Sequence, residues 1–251
     1  MKWMHKVSKE WMEARRGWLT ASDIADLLPT TPTGRARDVS GKQLEVWAAK
    51  RANITDDMCM AFGSAARGHI MEPYAIDAFN KLHAMDGELH HWDDAIVFNE
   101  DLGMAFSPDA MSIRQCSNMV KVDQLDLGSA DIQIGEVKSY APGKHYFRGL
   151  ADKSNLEERW QLATAMAVCD RIEVAFLILF NPNVEHKMFH HLYTRDDLEK
   201  EIAIVYQVAD DYCNCTEEIE ADAGSRACEC SITESEIVSE IEAMQDNVNP
   251  I

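Results

Sequence analysis

The chain of 251 residues is 46% hydrophobic and 27% charged, which places it in the ordinary soluble globular class. It has no apolar run of transmembrane length, its first residues do not resemble a secretory signal, and its seven cysteines form no evident disulfide framework, so we expect a protein of the reducing cytoplasm. The net charge of −19 does not exclude nucleic acid as a partner, because residues 1–50 hold more basic than acidic side chains, whereas residues 214–251 hold ten acids against Arg226 alone.

Hydrophobic periodicity, capping residues and turn residues predict the elements in chain order. In the first half they are an amphipathic segment at Ser8–Arg16, a helix that starts near Thr20, a loop over Pro29–Gly41, a helix at Lys42–Arg51, a long helix at Ser64–His83, and paired strands at Ala95–Phe98 and Met104–Phe106. In the second half they are an extension of that sheet at Met119–Leu127, a strand at Ile132–Lys138, a helix at Asn155–Val168, a central strand at Glu173–Phe180 and its neighbour at Met188–Thr194, a helix from Arg195 to about Tyr212, and a weak helical stretch at Ile232–Met244. We expect one globular domain over residues 1–213 and an acidic tail over residues 214–251.

Charged residues interrupt an apolar strand face at one point in the sequence. In Ile132–Lys138 every second side chain shares a face, and this face begins with two isoleucines and ends with Glu136 and Lys138. A third ionisable group, Asp109, follows a short apolar segment and a proline. Two carboxylates on neighbouring strands are hard oxygen ligands for Mg²⁺ or Mn²⁺, and Lys138 is placed to orient an attacking water. The alternative is an ordinary Glu–Lys surface pair on an edge strand.

Glu72 is a fourth candidate for this site. It lies on the apolar stripe of the long helix, where an unpaired carboxylate is costly to bury. A metal ion shared with Asp109 would provide a partner. The alternatives are that Glu72 reaches solvent at the helix edge or bonds Arg67. His69 is also a candidate ligand, although the pattern favours a histidine on the helix surface.

Two arginines precede the helix that starts near Thr20, and together they predict an anion site. Arg15 and Arg16 lie just before the unpaired N–H groups of the helix start, and Ser22 adds a hydroxyl donor. Arg15, Thr20 and Ser22 are therefore candidates to bind a terminal DNA phosphate. The sequence Thr20-Ala21-Ser22-Asp23 is typical of a capping box. The alternative is therefore that Thr20 only caps the helix while both arginines are solvated.

In its ordered motifs the chain resembles the lambda-exonuclease family, also described as YqaJ-type viral recombinases. The motifs are Arg15–Ser22, Gly68–Glu72, Ser107-Pro108-Asp109, Glu136-Val137-Lys138 and Trp160–Met166. The resemblance implies a restriction-endonuclease-like α/β core, with a mixed central β-sheet flanked by helices. It also implies Mg²⁺-dependent 5′→3′ digestion of one strand of linear double-stranded DNA, a ring-shaped homotrimer, a single-strand annealing partner, and the bacterial host cytoplasm as location if the chain is phage-encoded.

The family's roles carry over onto the matching positions of this chain. The ligands of one or two Mg²⁺ or Mn²⁺ ions would be Glu72, Asp109, Glu136 and the carbonyl of Val137. Lys138 would position the water, and Arg15 and Ser22 would receive the 5′-phosphate. Gln161 matches the first glutamine of a catalytic Gln-x-Gln motif, whose second position is Ala163 here.

Two other segments differ from what the resemblance implies. Residues 110–135 are longer than the corresponding segment of the family and suggest an added hairpin. At the family's apolar wedge, just before Gly68, the chain has Ala65 and Ala66, and Met60 or Phe62 is the remaining candidate.

Other features leave alternatives open. Four cysteines are either a zinc site or reduced thiols, with reduced thiols favoured: Cys213, Cys215, Cys228 and Cys230. The histidine pairs 90–91 and 190–191 are interpreted as surface residues. The acidic tail is a solvated appendage or a dock for a basic partner. The rival functions are an endonuclease or resolvase with the same core, and a non-catalytic DNA-binding protein.

Overall fold

A computed structural model describes residues 15, 18–28, 64–83, 88–93, 95–115, 117–125, 131–139, 156–183 and 187–226. The predictions for residues 8–14, for Pro29–Gly41, for Lys42–Arg51 and for Ile232–Met244 lie outside these ranges, as do Arg16, Met60 and Phe62. No helix in the described ranges is long and apolar enough to cross a membrane.

The described part of the chain contains four α-helices and nine strands. The helices are α1 Ala21–Leu27, α2 Ser64–Leu82, α3 Leu156–Val168 and α4 Glu199–Arg226. The strands are β1 Leu19–Thr20, β2 His90–His91, β3 Ile96–Asn99, β4 Met104–Phe106, β5 Ala110–Met111, β6 Met119–Lys121, β7 Ile132–Ser139, β8 Ile172–Phe180 and β9 Met188–Thr194.

These strands form two mixed sheets. The first has the order β1-β4-β3-β6 and the second the order β2-β5-β7-β8-β9, and each contains parallel and antiparallel pairs. The predicted fold class, a mixed α/β core flanked by helices, is confirmed, although the described strands divide between two sheets where one was expected. Within residues 110–135, β5 pairs antiparallel with β7 and β6 pairs with β3. Because residues 116 and 126–130 lie outside the described ranges, the added hairpin stays a prediction. The predicted strand Met119–Leu127 ends at Lys121, and a 3₁₀ turn follows it at Val122–Gln124.

The strand β7 lies inside the second sheet, between β5 and β8. Its pairing with β8 is parallel and carries one irregularity, since Ile132 is opposite Ile172 but Gln133 is opposite Val174. The extra residue on β8 is Glu173, and the ladder then continues without interruption to Ser139. As predicted, β8 is a central strand, and its last six residues, Ala175 to Phe180, are all buried.

Apolar clusters cover both faces of β7, and the alternation of the strand divides its side chains between them. Ile132 and Ile134 pack with Leu162 of α3, whereas Val137 packs with Phe79 of α2. A Cβ on Gly135 would point to the α2 side, at 3.0 Å from the Cδ1 of Leu89. Glu136 and Lys138 therefore share the α3 face with the two isoleucines.

Helix α4 is longer than the sequence indicated. It continues past Tyr212, the predicted end, to Arg226 and so crosses the expected domain boundary at residue 213. The division of the chain at that residue stays a prediction. Cys213 is half-buried on this helix, with its sulfur 3.9 Å from the carbonyl oxygen of Leu102. The side chain of Cys215 and residues 228 and 230 lie outside the description, so the alternative of a zinc site stays open.

A hydrogen-bonded box precedes α4. The Thr194 N–H donates to Asp197 Oδ2 over 3.0 Å, and the Thr194 hydroxyl donates to the same oxygen over 2.9 Å. In return, the Asp197 N–H donates to the Thr194 hydroxyl oxygen over 3.3 Å. This arrangement starts the 3₁₀ turn Asp196–Leu198 that leads into the helix.

Histidines join the aromatic packing between α2 and β9. The rings of His83 and His190 are perpendicular, with centroids 4.5 Å apart, and Phe79 stacks on His83 at the same distance. His191 is only 7% exposed. The interpretation as a surface residue is therefore wrong for His191, whereas His190 is half-buried.

This packing predicts a loss of stability in mild acid. Burial lowers the pKa of His190 below its ordinary value of 6.5, and the nearby His83 and His191 lower it further. The unfolded chain therefore takes up this proton at a higher pH than the folded chain, and stability should fall as the pH drops below about 6.5. In thermal melts from pH 8 to pH 5, the variant His190→Phe should lose part of this decline. Parallel melting profiles for the variant and the wild type would contradict the assignment.

Candidate functional site

A cleft of about 450 Å³ lies where β7 meets the N-terminal part of α2, the start of α1 and one face of α3. The cleft brings together every site residue that the sequence predicted. They are Arg15, Thr20, Ser22, Glu72, Asp109, Glu136, Val137, Lys138 and Gln161.

Asp109 lies in the short link between the two sheets. The segment Ser107-Pro108-Asp109 connects β4 to β5, and proline cannot donate to a strand ladder. The Oδ2 atom of Asp109 accepts a hydrogen bond from the Val137 N–H over 2.7 Å, and its backbone carbonyl accepts one from Trp92 over 3.0 Å. The carboxylate is thus held against the strand that carries Glu136 and Lys138.

The surroundings of Asp109 oppose its ionisation. Burial raises its pKa well above the ordinary value, and the negative charges of Glu136 and Glu72 raise it further. Lys138 and the Val137 N–H lower it by less. Three acidic groups therefore repel one another in a space that a cation would neutralise.

Glu136 and Lys138 form an ion pair inside the cleft. The Lys138 Nζ lies 2.7 Å from Glu136 Oε1, and the two side chains are 26% and 18% exposed. Burial alone would lower the pKa of Lys138, but Glu136 and Asp109, together with Glu158, raise it above its ordinary value. The ammonium stays charged, and the alternative of a surface pair is wrong, because both side chains are largely buried in the cleft.

Two imidazoles bind Glu72, which is 8% exposed. His69 Nδ1 lies 2.9 Å from one carboxylate oxygen and His91 Nε2 lies 3.4 Å from the other. Burial would raise the pKa of Glu72, but the hydrogen bonds and charges of the two histidines lower it to about 2. Glu72 is therefore an anion whose two oxygens have separate partners.

Sequence reasoning missed His91 and interpreted it as a surface residue. The structure brings it to Glu72 because β2 pairs with β5, with His91 opposite Ala110, the residue after Asp109. No local pattern indicates this pairing, since β2 has only two residues. His69, 41% exposed, lies at the helix surface as expected and still contacts Glu72.

Thr20 is the N-cap of α1, as the capping pattern predicted. Arg15 donates from Nη2 to the Thr20 hydroxyl oxygen over 3.1 Å, and Ser22 is exposed. Burial lowers the pKa of Arg15, and the carboxylate of Asp23 opposes this effect. Arg15 is thus held beside the cleft, and the alternative of a solvated Arg15 is wrong.

Gln161 and Ala163 have different surroundings on α3. Gln161 lines the cleft, and its buried Oε1 has no hydrogen-bond partner within the described structure. Ala163 is fully buried in the apolar cluster on the same side of β7. The second position of the predicted motif therefore lies in the core, where a glutamine side chain would need a buried partner.

The donor set fits a hard divalent cation, although its side chains currently bond protein groups. In the described ranges, no group of three or more His, Cys, Asp or Glu side chains is arranged to hold one ion. Instead Glu72 bonds two imidazoles, Asp109 bonds the Val137 N–H and Glu136 bonds Lys138. The carboxylate oxygens and the strand carbonyl are nevertheless the ligand types that Mg²⁺ and Mn²⁺ prefer.

The repulsion at Asp109 predicts a gain in stability when its charge is removed. A raised pKa in the folded state means that stability declines as the pH rises above the ordinary value of 3.8. In the presence of chelator at pH 8, Asp109→Asn should therefore melt at a higher temperature than the wild type, by about 2–4 °C for each kcal/mol gained. The matched control is Asp170→Asn at an exposed position. An equal or lower melting temperature for Asp109→Asn would contradict the electrostatic argument.

Comparison with known proteins gives a family and a shared fold. Residues 10–171 match the family model described as the YqaJ-like viral recombinase domain. No curated protein matches the chain.

Solved structures with a similar fold include two of LHK-Exo, an alkaline exonuclease from Laribacter hongkongensis. This protein alone aligns with a TM-score of 0.61 at 18% identity over 88% of this chain and all of its own. Its complex with dAMP aligns with a TM-score of 0.60 at the same identity and coverage. A phage related exonuclease from Haemophilus somnus 129PT aligns with a TM-score of 0.53 at 13% identity, over 81% of this chain and 96% of its own.

Proposed function

The chain belongs to the family of YqaJ-like viral recombinase domains, and we propose that it is a metal-dependent exonuclease. It digests one strand of linear double-stranded DNA in the 5′→3′ direction and leaves 3′ single-stranded overhangs for recombination. The observation that carries this proposal is the convergence of Asp109, Glu136 and Lys138 with Glu72 and Gln161 in one cleft. The exonucleases of known structure described above share this fold and support the reaction class.

The metal site is part of the proposal. Glu72, Asp109, Glu136 and the Val137 carbonyl would hold one or two Mg²⁺ or Mn²⁺ ions. Bound there, the metal would polarise a phosphate oxygen and lower the pKa of a bound water. The mutual repulsion of the three carboxylates favours a divalent cation as their common partner.

Lys138 positions the attacking water in this mechanism. Its ammonium is partly buried, stays charged and belongs to a residue two positions beyond Glu136 on the same strand face. If Glu136 held a metal ion, the Lys138 ammonium would be available to a water or a phosphate oxygen. The Oε1 of Gln161, which is buried, is an acceptor that can hold a proton of the same water.

The end of the DNA strand is recognised at the start of α1, where Arg15 and Ser22 line the cleft. Arg15 supplies a guanidinium that matches a phosphate bidentately, and the exposed Ser22 hydroxyl adds a donor. These groups would hold the 5′-phosphate while the first phosphodiester lies at Lys138.

We extend the proposal to the assembly that the family resemblance implies. It is a homotrimer ring that encircles linear duplex DNA and works with a single-strand annealing protein in the host cytoplasm. Enclosure in a ring would reconcile a DNA substrate with the net charge of −19 if the basic side chains of residues 1–50 faced the enclosed DNA. Light scattering after gel filtration measures the stoichiometry, and a monomeric mass would contradict the ring.

Removing the ammonium should stop turnover and leave DNA binding nearly intact. We expect Lys138→Ala to slow the digestion of end-labelled linear duplex with Mg²⁺ by about 10²–10³-fold or more, because a buried charge opposite the reacting phosphate is lost. Fluorescence anisotropy measures binding of the same duplex in chelator.

The matched control is Lys81→Ala, because Lys81 belongs to an exposed ion pair with Asp77 outside the cleft. Retained digestion by Lys138→Ala would contradict the role of this residue. Cleavage of covalently closed circular duplex by the wild type would favour the rival endonuclease.

Removing the Arg15 guanidinium should slow the digestion of duplexes with 5′-phosphorylated ends. We expect Arg15→Ala to lower kcat/KM on 5′-phosphorylated duplex by about 10- to 100-fold, the effect of losing hydrogen bonds to a charged group, and to change kcat/KM on 5′-hydroxyl duplex much less. Arg114→Ala, at an exposed position, is the control. An equal loss on both kinds of end would argue against a phosphate pocket.

A further inference from the structure

The hydroxyl of Thr20 is fully engaged by protein groups. It donates its proton to Asp23 Oδ2 over 2.6 Å, and its oxygen accepts from Arg15 Nη2 over 3.1 Å and from the Asp23 N–H over 3.4 Å. A hydroxyl has one proton and two lone pairs, so all three are in use. The side chain cannot donate to a phosphate unless it gives up Asp23.

We propose that Thr20 and Asp23 are positioning residues that hold the Arg15 guanidinium in place for the 5′-phosphate, and that Thr20 is not itself a phosphate ligand. This inference rests on the proposed function. It changes the role expected for Thr20 from the sequence, where it was a candidate ligand beside Arg15 and Ser22. Asp23, which the sequence analysis used only as part of the capping pattern, becomes part of the phosphate pocket.

The geometry gives Asp23 control over Arg15 through Thr20. One oxygen of Asp23, Oδ2, accepts from both the N–H and the hydroxyl of Thr20, which fixes the rotamer of the threonine. The lone pair that faces Arg15 is therefore fixed as well. Burial lowers the pKa of the guanidinium, while the charge of Asp23 opposes that effect and stabilises the cation in its buried place.

An ordered guanidinium recognises phosphate better than a free one. A long arginine side chain loses conformational entropy when a ligand immobilises it, and this cost is lower if the protein has already fixed the side chain. The network from Asp23 through Thr20 to Arg15 removes much of this cost before DNA binds. Its loss should therefore weaken the preference for phosphorylated ends and leave 5′-hydroxyl ends nearly unaffected.

The same hydrogen bonds also cap α1, and the chain contains a control for this purely structural role. Thr194 and Asp197 form a box with the same three bonds at 2.9, 3.0 and 3.3 Å, and neither residue lines the cleft. Thr194→Val thus removes a matched hydrogen-bonded box at a distance from the site.

The experiment compares Thr20→Val, Thr20→Ser, Asp23→Ala and Thr194→Val with the wild type. For each protein, kcat/KM is measured on duplexes that differ only in a 5′-phosphate or a 5′-hydroxyl, and the melting temperature is recorded. The hydrogen bond lost by Thr20→Val involves a charged partner, and we expect the ratio of the two kcat/KM values to fall about tenfold. Asp23→Ala should lower the same ratio, and Thr20→Ser, which keeps the hydroxyl, should restore it.

Binding gives a second measurement that does not depend on turnover. Anisotropy of the 5′-phosphorylated duplex in chelator should show a weaker complex for Thr20→Val and an unchanged one for Thr194→Val, even where both variants melt at lower temperature. If Thr20→Val and Asp23→Ala kept the wild-type ratio of kcat/KM on 5′-phosphorylated and 5′-hydroxyl duplexes, the inference would be overturned and Thr20 would be a cap only. Equal losses on both ends would overturn it as well. A wild type without any preference for the 5′-phosphate would remove the pocket itself, and the inference with it.

Discussion

The hydrogen bond from the Val137 N–H to Asp109 is the contact on which the site depends. Strand β5 pairs with β7 at only two positions, so the β7 backbone beyond Gly135 loses its neighbour at the point where Glu136 begins. At this point the Asp109 side chain accepts a hydrogen bond from the Val137 N–H, which has no partner on β5. One carboxylate thereby ends the strand pairing, opens the cleft and comes to lie next to Glu136.

The electrostatics of the cleft follow from this placement. Asp109 is forced close to Glu136 and Glu72, and each of these acids already has its own cationic or hydrogen-bonding partner, Lys138 on one side and His69 with His91 on the other. These partners offset the charges of Glu136 and Glu72, but the repulsion at Asp109 remains. Such a cleft favours a divalent cation over a monovalent one, because two positive charges offset more of that repulsion.

The sequence indicated those parts of the site that depend on local order. The alternation of β7 placed Glu136 and Lys138 on one face, and the spacing of Thr20 and Asp23 predicted the cap of α1. The pairing of two-residue strands and the division into two sheets were not predictable in this way, since segments so short carry no periodic signal. His91 was misjudged for that reason. The extension of α4 beyond Tyr212 was missed because acids and cysteines replace the apolar stripe there, although no proline interrupts the helix.

The irregularity at the start of the β7–β8 ladder limits where strand β7 can gain or lose a residue. From Gln133 onward each residue of β7 has a fixed partner, so one codon inserted or deleted between there and Lys138 would exchange the two faces of the strand. The charged pair would then enter the apolar packing on the α2 side, and the side chain of Val137 would leave that packing for the opposite face. Upstream, the unmatched Glu173 shows that this ladder accommodates an additional residue. Insertions and deletions among relatives should therefore lie before Gln133. The strand after Gln133 should keep its length even where individual amino acids differ.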